Sequence, residues 1–348
     1  RAPMKVALDI RKRSGPYTSY VRVTELLEEA ASAVGLDFQL WDGGPIHADV
    51  LWHPELVPAA VETSVPRVIS LHDVSPLLRD ARSALVRWRR GRRFRRQFAI
   101  AARQAAAFAA GSNSTVQRVA AAFPNLQTPL KVVPIYPAVT LQAASAASCQ
   151  EVLGEFGIEG AFVLFVAAMR KHKNWQGALL GWANLPEELR QQHPLVLAGP
   201  NHRALPRMRR MMERLGVADQ VYLTGNLNDR QLAALYTSCK LFLFPSYNEG
   251  FGLPPLEAMK CGAPVIAADA PAMPEVLGSA AAYVDPFRIE TITAQLQRVL
   301  TDTQLEQRLR AAGKATRPAG CRRPDQSATP RLSLSKLLAP RRARTVMD

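Results

Sequence analysis

Apolar residues fall along this chain in short runs separated by polar or Pro-rich breaks. Lys5–Ile10 (KVALDI) reads as a short buried strand, and helical spacing follows over Tyr20–Val34, with Val23, Leu26, Leu27 and Ala30 on one face. Apolar runs recur at 38–41, 49–52 and 67–71, then a helix over 79–108, a strand at Phe108–Gly111, a helix opened by Ser112-Asn113-Ser114 and a strand at Lys131–Ile135. Residues 138–149 are small, Ala/Ser-rich and aperiodic, which predicts a linker. The pattern then restarts. Strands are expected at Phe162–Ala167, Leu195–Ala198, Val221–Thr224, Leu241–Pro245 and Val265–Ala268, with helices at Trp175–Leu185, Arg203–Leu215, Asp229–Thr237, Pro254–Cys261 and Glu290–Thr301. Strands alternating with helices predict parallel α/β sheets. Two such halves joined by a linker predict a cleft, with ligands beyond the carboxyl ends of the strands.

Composition narrows the class. With 48% hydrophobic and 21% charged residues in 348, the chain is globular and long enough for two domains. No apolar run approaches the ~20 residues that span a bilayer, and the first thirty residues hold no signal-peptide core. Cysteines at 149, 239, 261 and 321 form no CxxC, which predicts reduced thiols in a cytoplasmic setting. The six histidines show no ligand spacing, so no metal site is expected. The net charge of +15 is segmental: residues 79–103 carry +9, residues 314–348 carry +7, and the remainder sums to −1. That distribution argues against a nucleic-acid-wrapping fold and predicts no nucleic-acid partner.

The segment with most chemistry is Leu241–Met259 (LFLFPSYNEGFGLPPLEAM). An apolar strand ends at Pro245, a loop with Gly250 and Gly252 follows, and a helix opens at Pro254-Pro255. Glycines allow close backbone approach to a ligand, and a helix N-terminus suits phosphate oxygens. Glu257 is expected in the first helical turn, where a carboxylate can accept a ribose diol; Glu249 precedes the glycines. The spacing alone equally suits a surface Glu249 and a helix-favouring Glu257.

This stretch resembles the Glu-x7-Glu motif of the retaining, nucleotide-sugar-dependent glycosyltransferases of the family numbered four, with Glu249 and Glu257 as its carboxylates. Val221–Tyr236, Gly262–Pro286, Val163–Trp175, VISLHDV at 68–74 and FAAGSNSTVQRV at 108–119 resemble further family segments, so that the likeness spans about residues 4–314. It implies a GT-B fold, with two Rossmann-like domains facing across a deep cleft. The boundaries expected are 1–137 for the acceptor domain, 138–158 for a linker, 159–314 for the donor domain and 315–348 for an atypical basic Pro/Arg-rich tail. By resemblance, Glu249 and His72 are the catalytic candidates. Glu249 contacts the transferred sugar as nucleophile or electrostatic stabiliser, and His72 faces it from the first domain. Glu257 binds the donor ribose; Gly250, Phe251, Gly252 and Leu253 offer N–H groups; Lys173, assisted by Arg170, meets the diphosphate; Asn226 lies near the nucleobase. Gly15 and Asp73 are the acceptor-side candidates. From the residues alone, Lys173 also reads as a solvated turn lysine and His72 as a loop histidine. Asn174 reads as the cap of the helix at Trp175, and Ser112 and Ser114 as caps of theirs.

Two departures stand out. The loop after the first strand (SGPYTSY) has Gly15 as its only glycine where relatives carry Gly-x-Gly, and the tail does not resemble the family's terminal helix. The tail's composition is that expected of a GC-rich gene read out of frame. Over 79–108, Leu78, Ala81, Leu85, Trp88, Gly91, Phe94, Phe98, Ala101 and Ala105 form one apolar stripe, with arginines around the rest. This suits either packing on the chain's own sheet or docking on anionic lipid at the inner face of a cytoplasmic membrane. The reading reached is a hexosyltransferase using a nucleotide diphosphate sugar, GDP-mannose favoured, on a lipid-linked glycan in surface polysaccharide biosynthesis, with no cofactor and no metal. The alternatives are a synthase with a small soluble acceptor and an inactive sugar-nucleotide-binding relative.

Overall fold

The computed structural model describes residues 4–11, 24, 28, 37–56, 63–72, 74–77, 84–133, 141–200 and 203–316. The chain divides into two compact units, each built on one six-stranded sheet. The first sheet holds β1 (Lys5–Asp9), β2 (Asp37–Trp41), β3 (Val50–His53), β4 (Arg67–Leu71), β5 (Ala107–Ala110) and β6 (Leu130–Val132) in the order β2-β1-β3-β4-β5-β6. The second holds β7 (Val163–Val166), β8 (Leu195–Ala198), β9 (Val221–Gly225), β10 (Leu241–Phe244), β11 (Val265–Ala268) and β12 (Ala281–Val284) in the order β12-β11-β10-β7-β8-β9. Every pairing in both sheets is parallel. The expected α/β class is therefore observed. Runs such as VLWH, VLFV, LVLA and LFLF are apolar at nearly every position because helices leave neither sheet face to water.

The strand orders fix where ligands can approach. In an open parallel sheet the crevice opens where the chain's direction of winding reverses, beyond the carboxyl ends of two adjacent strands. That point lies between β1 and β3 in the first sheet and between β10 and β7 in the second.

Several local expectations need correction. The aperiodic reading of residues 138–149 does not hold over their last four positions. Ala146–Phe156 is a helix, capped where the Ser145 side chain accepts the Ser148 N–H and ended by Gly157 at φ 62°. Its Cys149 and Val152 are buried one turn apart, a spacing too short to stand out in an Ala/Ser-rich stretch. A helix at Thr303–Ala315, capped by Asp302, and strand β12 were not foreseen. The long basic helix runs over Ala84–Gln104. Its apolar stripe is not uniformly covered: Phe94, Phe98 and Ala101 are buried, whereas Leu85 and Trp88 are more than half exposed. Phe98 stacks on Phe108 of β5 and on Phe123, at 5.0 and 4.0 Å between ring centroids, and this anchors only the later turns. Most of the expected helix at 20–34, and the tail from 317 onward, lie outside the described residues.

Candidate active site

In the second unit the geometry starts from β10. Its four buried residues carry the chain through the sheet to Pro245, where it emerges beside the end of β7. Beyond β7 the chain makes a 3₁₀ turn, Lys171–Lys173, and Asn174 then starts the helix Trp175–Ala183. Asn174 adopts the left-handed conformation (φ 55°, ψ 40°) and is buried. Its Oδ1 accepts the Gly177 N–H at 3.1 Å, the helix cap expected from sequence. Its Nδ2 donates to the Pro245 carbonyl at 3.0 Å and the Pro286 carbonyl at 2.9 Å. One amide group thus ties together the exits of β7, β10 and β12. The Tyr247 N–H, donating to the His172 carbonyl at 2.9 Å, adds a second tie between the first two.

These ties place two charged groups across the switch point. Lys173 Nζ lies 2.7 Å from Glu249 Oε1, with both side chains largely shielded from solvent. The same ammonium sits 5.4 Å from the centroid of the Phe244 ring. Such a pair gains strength from its low-dielectric setting, at the cost of desolvating both ions.

Gly252 then ends the loop at φ 85°, a conformation that disfavours any residue with a Cβ. A Cβ there would also run into the Met273 side chain. The helix that follows is Leu253–Lys260, with Pro254 in its first turn. Glu257 is consequently the fifth helical residue rather than one of the first turn, because the left-handed Gly252 lets the helix start at Leu253. Glu257 is buried, as is Phe251. No side chain caps this helix, so its first N–H groups keep the partial positive charge of a helix N-terminus. Ser246 is fully buried, and its hydroxyl has no hydrogen-bond partner among the described residues. An unmet hydroxyl of this kind costs about 1–3 kcal/mol unless a ligand atom meets it.

The sequence candidates therefore divide. Lys173, Glu249, Gly250, Phe251, Gly252 and Leu253 come together at the β7/β10 switch point. Arg170 is exposed just ahead of the 3₁₀ turn. Asn226 follows β9, at the far edge of the sheet, two strands from β7. His72 lies in the first unit at the end of β4, where its Nε2 is hydrogen-bonded to the Pro54 carbonyl. A carbonyl only accepts, so Nε2 carries a proton. Gly15 and Asp73 lie outside the described residues. Ser112 caps its helix through the Thr115 N–H, whereas Ser114 falls inside that helix.

The first unit also holds a cluster that the sequence reading passed over. Asp9, at the end of β1, and His53, at the end of β3, meet across that sheet's switch point, with Nδ1 2.8 Å from Oδ2. Arg11 forks onto the same carboxylate at 2.9 Å through Nε and through a terminal nitrogen, and its guanidinium lies 4.4 Å from the Trp41 ring centroid. Burial alone would raise the Asp9 pKa; the hydrogen bonds from His53 and Arg11 outweigh it and hold the carboxyl well below its ordinary value. The available signal was a polar residue closing each of two apolar strands, KVALD and VLWH.

Among the described residues no group of three His, Cys, Asp or Glu side chains is placed to hold a metal ion. No described helix is long and apolar enough to cross a membrane.

Comparison with known proteins agrees with this geometry. Residues 155–316 match the family model described as "Glycosyl transferases group 1". Over 169 residues the chain is 38% identical to the serotype-specific mannosyltransferase WbdA of Escherichia coli, covering 48% of this chain and 21% of that protein. Over 172 residues it is 33% identical to the O-antigen chain mannosyltransferase B of Escherichia coli, covering 49% of this chain and 45% of that one. The matched region thus spans less than half the length of either relative. The crystal structure of WaaG, a glycosyltransferase involved in lipopolysaccharide biosynthesis, superposes with a TM-score of 0.70 at 17% identity, covering 90% of this chain and 94% of that one. The architecture of two α/β units on six-stranded parallel sheets is that of the GT-B glycosyltransferases. Over residues 155–316 the chain is thus similar to the glycosyl transferases group 1 family.

Proposed function

We propose that this chain transfers mannose from GDP-mannose to a hydroxyl of a lipid-linked glycan, with retention of configuration, during assembly of a surface polysaccharide. The observation that carries the reading is the Lys173–Glu249 pair at the β7/β10 switch point, one loop ahead of an uncapped helix N-terminus. The names of the relatives, O-antigen and serotype-specific mannosyltransferases, support mannose and the glycan acceptor.

In this mechanism the donor diphosphate takes Lys173 away from Glu249 and lies against the N–H groups of Gly250, Phe251, Gly252 and Leu253, with Arg170 at its margin. Glu257 accepts the ribose hydroxyls, and Asn226 lies on the nucleobase side. Released from its ammonium partner, the Glu249 carboxylate faces the anomeric carbon and stabilises the positive charge that develops as the bond to the phosphate oxygen breaks. The acceptor oxygen bonds to that carbon, and its proton passes to the departing phosphate. Gly15 and Asp73 belong to the acceptor side. No step requires a metal, so transfer is expected to persist in EDTA.

The test is incubation with GDP-mannose, UDP-glucose, dTDP-glucose or ADP-glucose and a lipid-linked glycan extract, with proton NMR of the product. Release of GDP with an α-linked mannosyl product supports the proposal. Release of nucleotide from none of the donors, or a β-linked product, contradicts it.

We also propose that the start of the long basic helix meets an anionic membrane surface. Leu85 and Trp88 are exposed there, with Arg89, Arg92, Arg93 and Arg96 exposed beside and beyond them. An interfacial helix combines apolar anchors and basic residues in this way, each basic residue near the lipid contributing about 1 kcal/mol. Co-sedimentation with anionic but not neutral vesicles, weakened in Trp88→Ala, is the expected result; equal pelleting with both contradicts it.

A further inference from the structure

We propose that Phe287, held against Tyr247, is a stacking platform for a pyranose ring at the mouth of the β7/β10 site. The inference rests on that site being where sugar is handled, and it adds a subsite that neither the Glu-x7-Glu motif nor the switch-point argument contains. The two rings lie 4.8 Å apart, tilted by 34°. Phe287 is one of the few large apolar side chains left exposed, at 45%. It is not loosely placed. Its N–H donates to Asp285 Oδ1 at 2.9 Å, and Thr291 Oγ1 donates to the Asp285 carbonyl at 3.0 Å. The preceding carbonyl, that of Pro286, shares the Asn174 amide with the carbonyl of Pro245. Tyr247 is fixed through its N–H to His172, next to Lys173, and stands two residues before Glu249.

An exposed aromatic ring held by backbone bonds and packed on Tyr247, two residues before Glu249, is costly to leave in water and loses little entropy on contact. The ligand that fits has one apolar face and a polar rim, and a pyranose is such a body: its C–H face covers the ring while its hydroxyls reach the ions. The pyranose can come from the donor or from the acceptor glycan, and the two arms of the test separate these sources.

The experiment is saturation-transfer NMR on the full chain, irradiating aromatic protons, with GDP-mannose in one arm and α-linked mannotriose in the other. Wild type, Phe287→Ala and Phe287→Trp are compared. Saturation of pyranose protons in at least one arm is expected in wild type and Phe287→Trp. In Phe287→Ala it should fall, with a roughly tenfold weaker Kd for that sugar. Guanine H8 of GDP-mannose reports on donor binding: it should be unchanged by Phe287→Ala if the platform serves the acceptor glycan and should fall with the mannose signals if it serves the donor. Pyranose signals equal in wild type and Phe287→Ala in both arms, including none in either, overturn the platform. Loss of guanine signals already in wild type would instead count against the donor reading.

Discussion

Lys173 and Glu249 are 76 residues apart in sequence and 2.7 Å apart in space, joined across the strands where the second sheet reverses its winding. In the proposed mechanism each neutralises the other until a more highly charged anion arrives. Exchange of the lysine from a carboxylate to a diphosphate is the event on which the proposed chemistry depends.

Lys173→Ala should therefore lower transfer by about 10²–10³-fold, the range for losing one preorganised electrostatic partner of a transition state. The melting temperature should fall as well, because the Glu249 carboxylate left behind is largely shielded from solvent and loses its counter-ion. Steady-state rates alongside a thermal melt check this. Near wild-type turnover would remove Lys173 from the mechanism.

Asn174 should act as a stability residue. Asn174→Asp keeps the acceptor for Gly177 but loses the donor that bridges Pro245 and Pro286. Loss of two buried hydrogen bonds predicts a cost of about 2–4 kcal/mol. Urea unfolding should place Asn174→Asp well below wild type, and Asn174→Ala, which also loses the cap and the local side-chain hydrogen bonding by which Asn tolerates the left-handed backbone, lower still.

Two glycines with positive φ should differ in sensitivity. Gly225→Ala (φ 71°) meets open space and incurs only backbone strain, about 1–2 kcal/mol. Gly252→Ala (φ 85°) adds the collision with Met273 at the start of the helix carrying Glu257. It should cost more stability and, unlike Gly225→Ala, weaken GDP-mannose binding. Calorimetry of both variants checks the contrast.

Acid should expose the Asp9 cluster. A carboxyl whose folded pKa lies below its unfolded value, about 3.9, contributes stability that is fully present above that value and is lost as the pH falls below it. Asp9→Asn should be clearly less stable than wild type at pH 7, and the gap should narrow as the pH is lowered from about 5 to 2. Urea unfolding across that range measures it; a gap that widens on acidification has the wrong sign.

What could be read from sequence followed from locality. Glu249, the two glycines and Glu257 lie within one strand–loop–helix unit, so their placement could be read from nineteen consecutive letters. Asn174 as helix cap was equally local. Its second role was not, because its bridged carbonyls lie 71 and 112 residues away. Asp9 and His53, 44 residues apart, needed the strand order before they could be paired. Periodicity placed Leu85, Trp88, Phe94 and Phe98 on one stripe but carried no information about where a covering partner stops. Ala281–Val284 is only four residues long and half alanine, so β12 was passed over despite Gly278-Ser279 before it and Asp285-Pro286 after it.

The central claim is that an activated sugar lies across the Lys173–Glu249 pair. A crystal structure with GDP-mannose bound tests it most directly. The account predicts the diphosphate within hydrogen-bond distance of Lys173 Nζ, about 3 Å, the ribose on Glu257, and Glu249 turned to the anomeric carbon. A donor bound elsewhere, with Lys173 still 2.7 Å from Glu249, would contradict it.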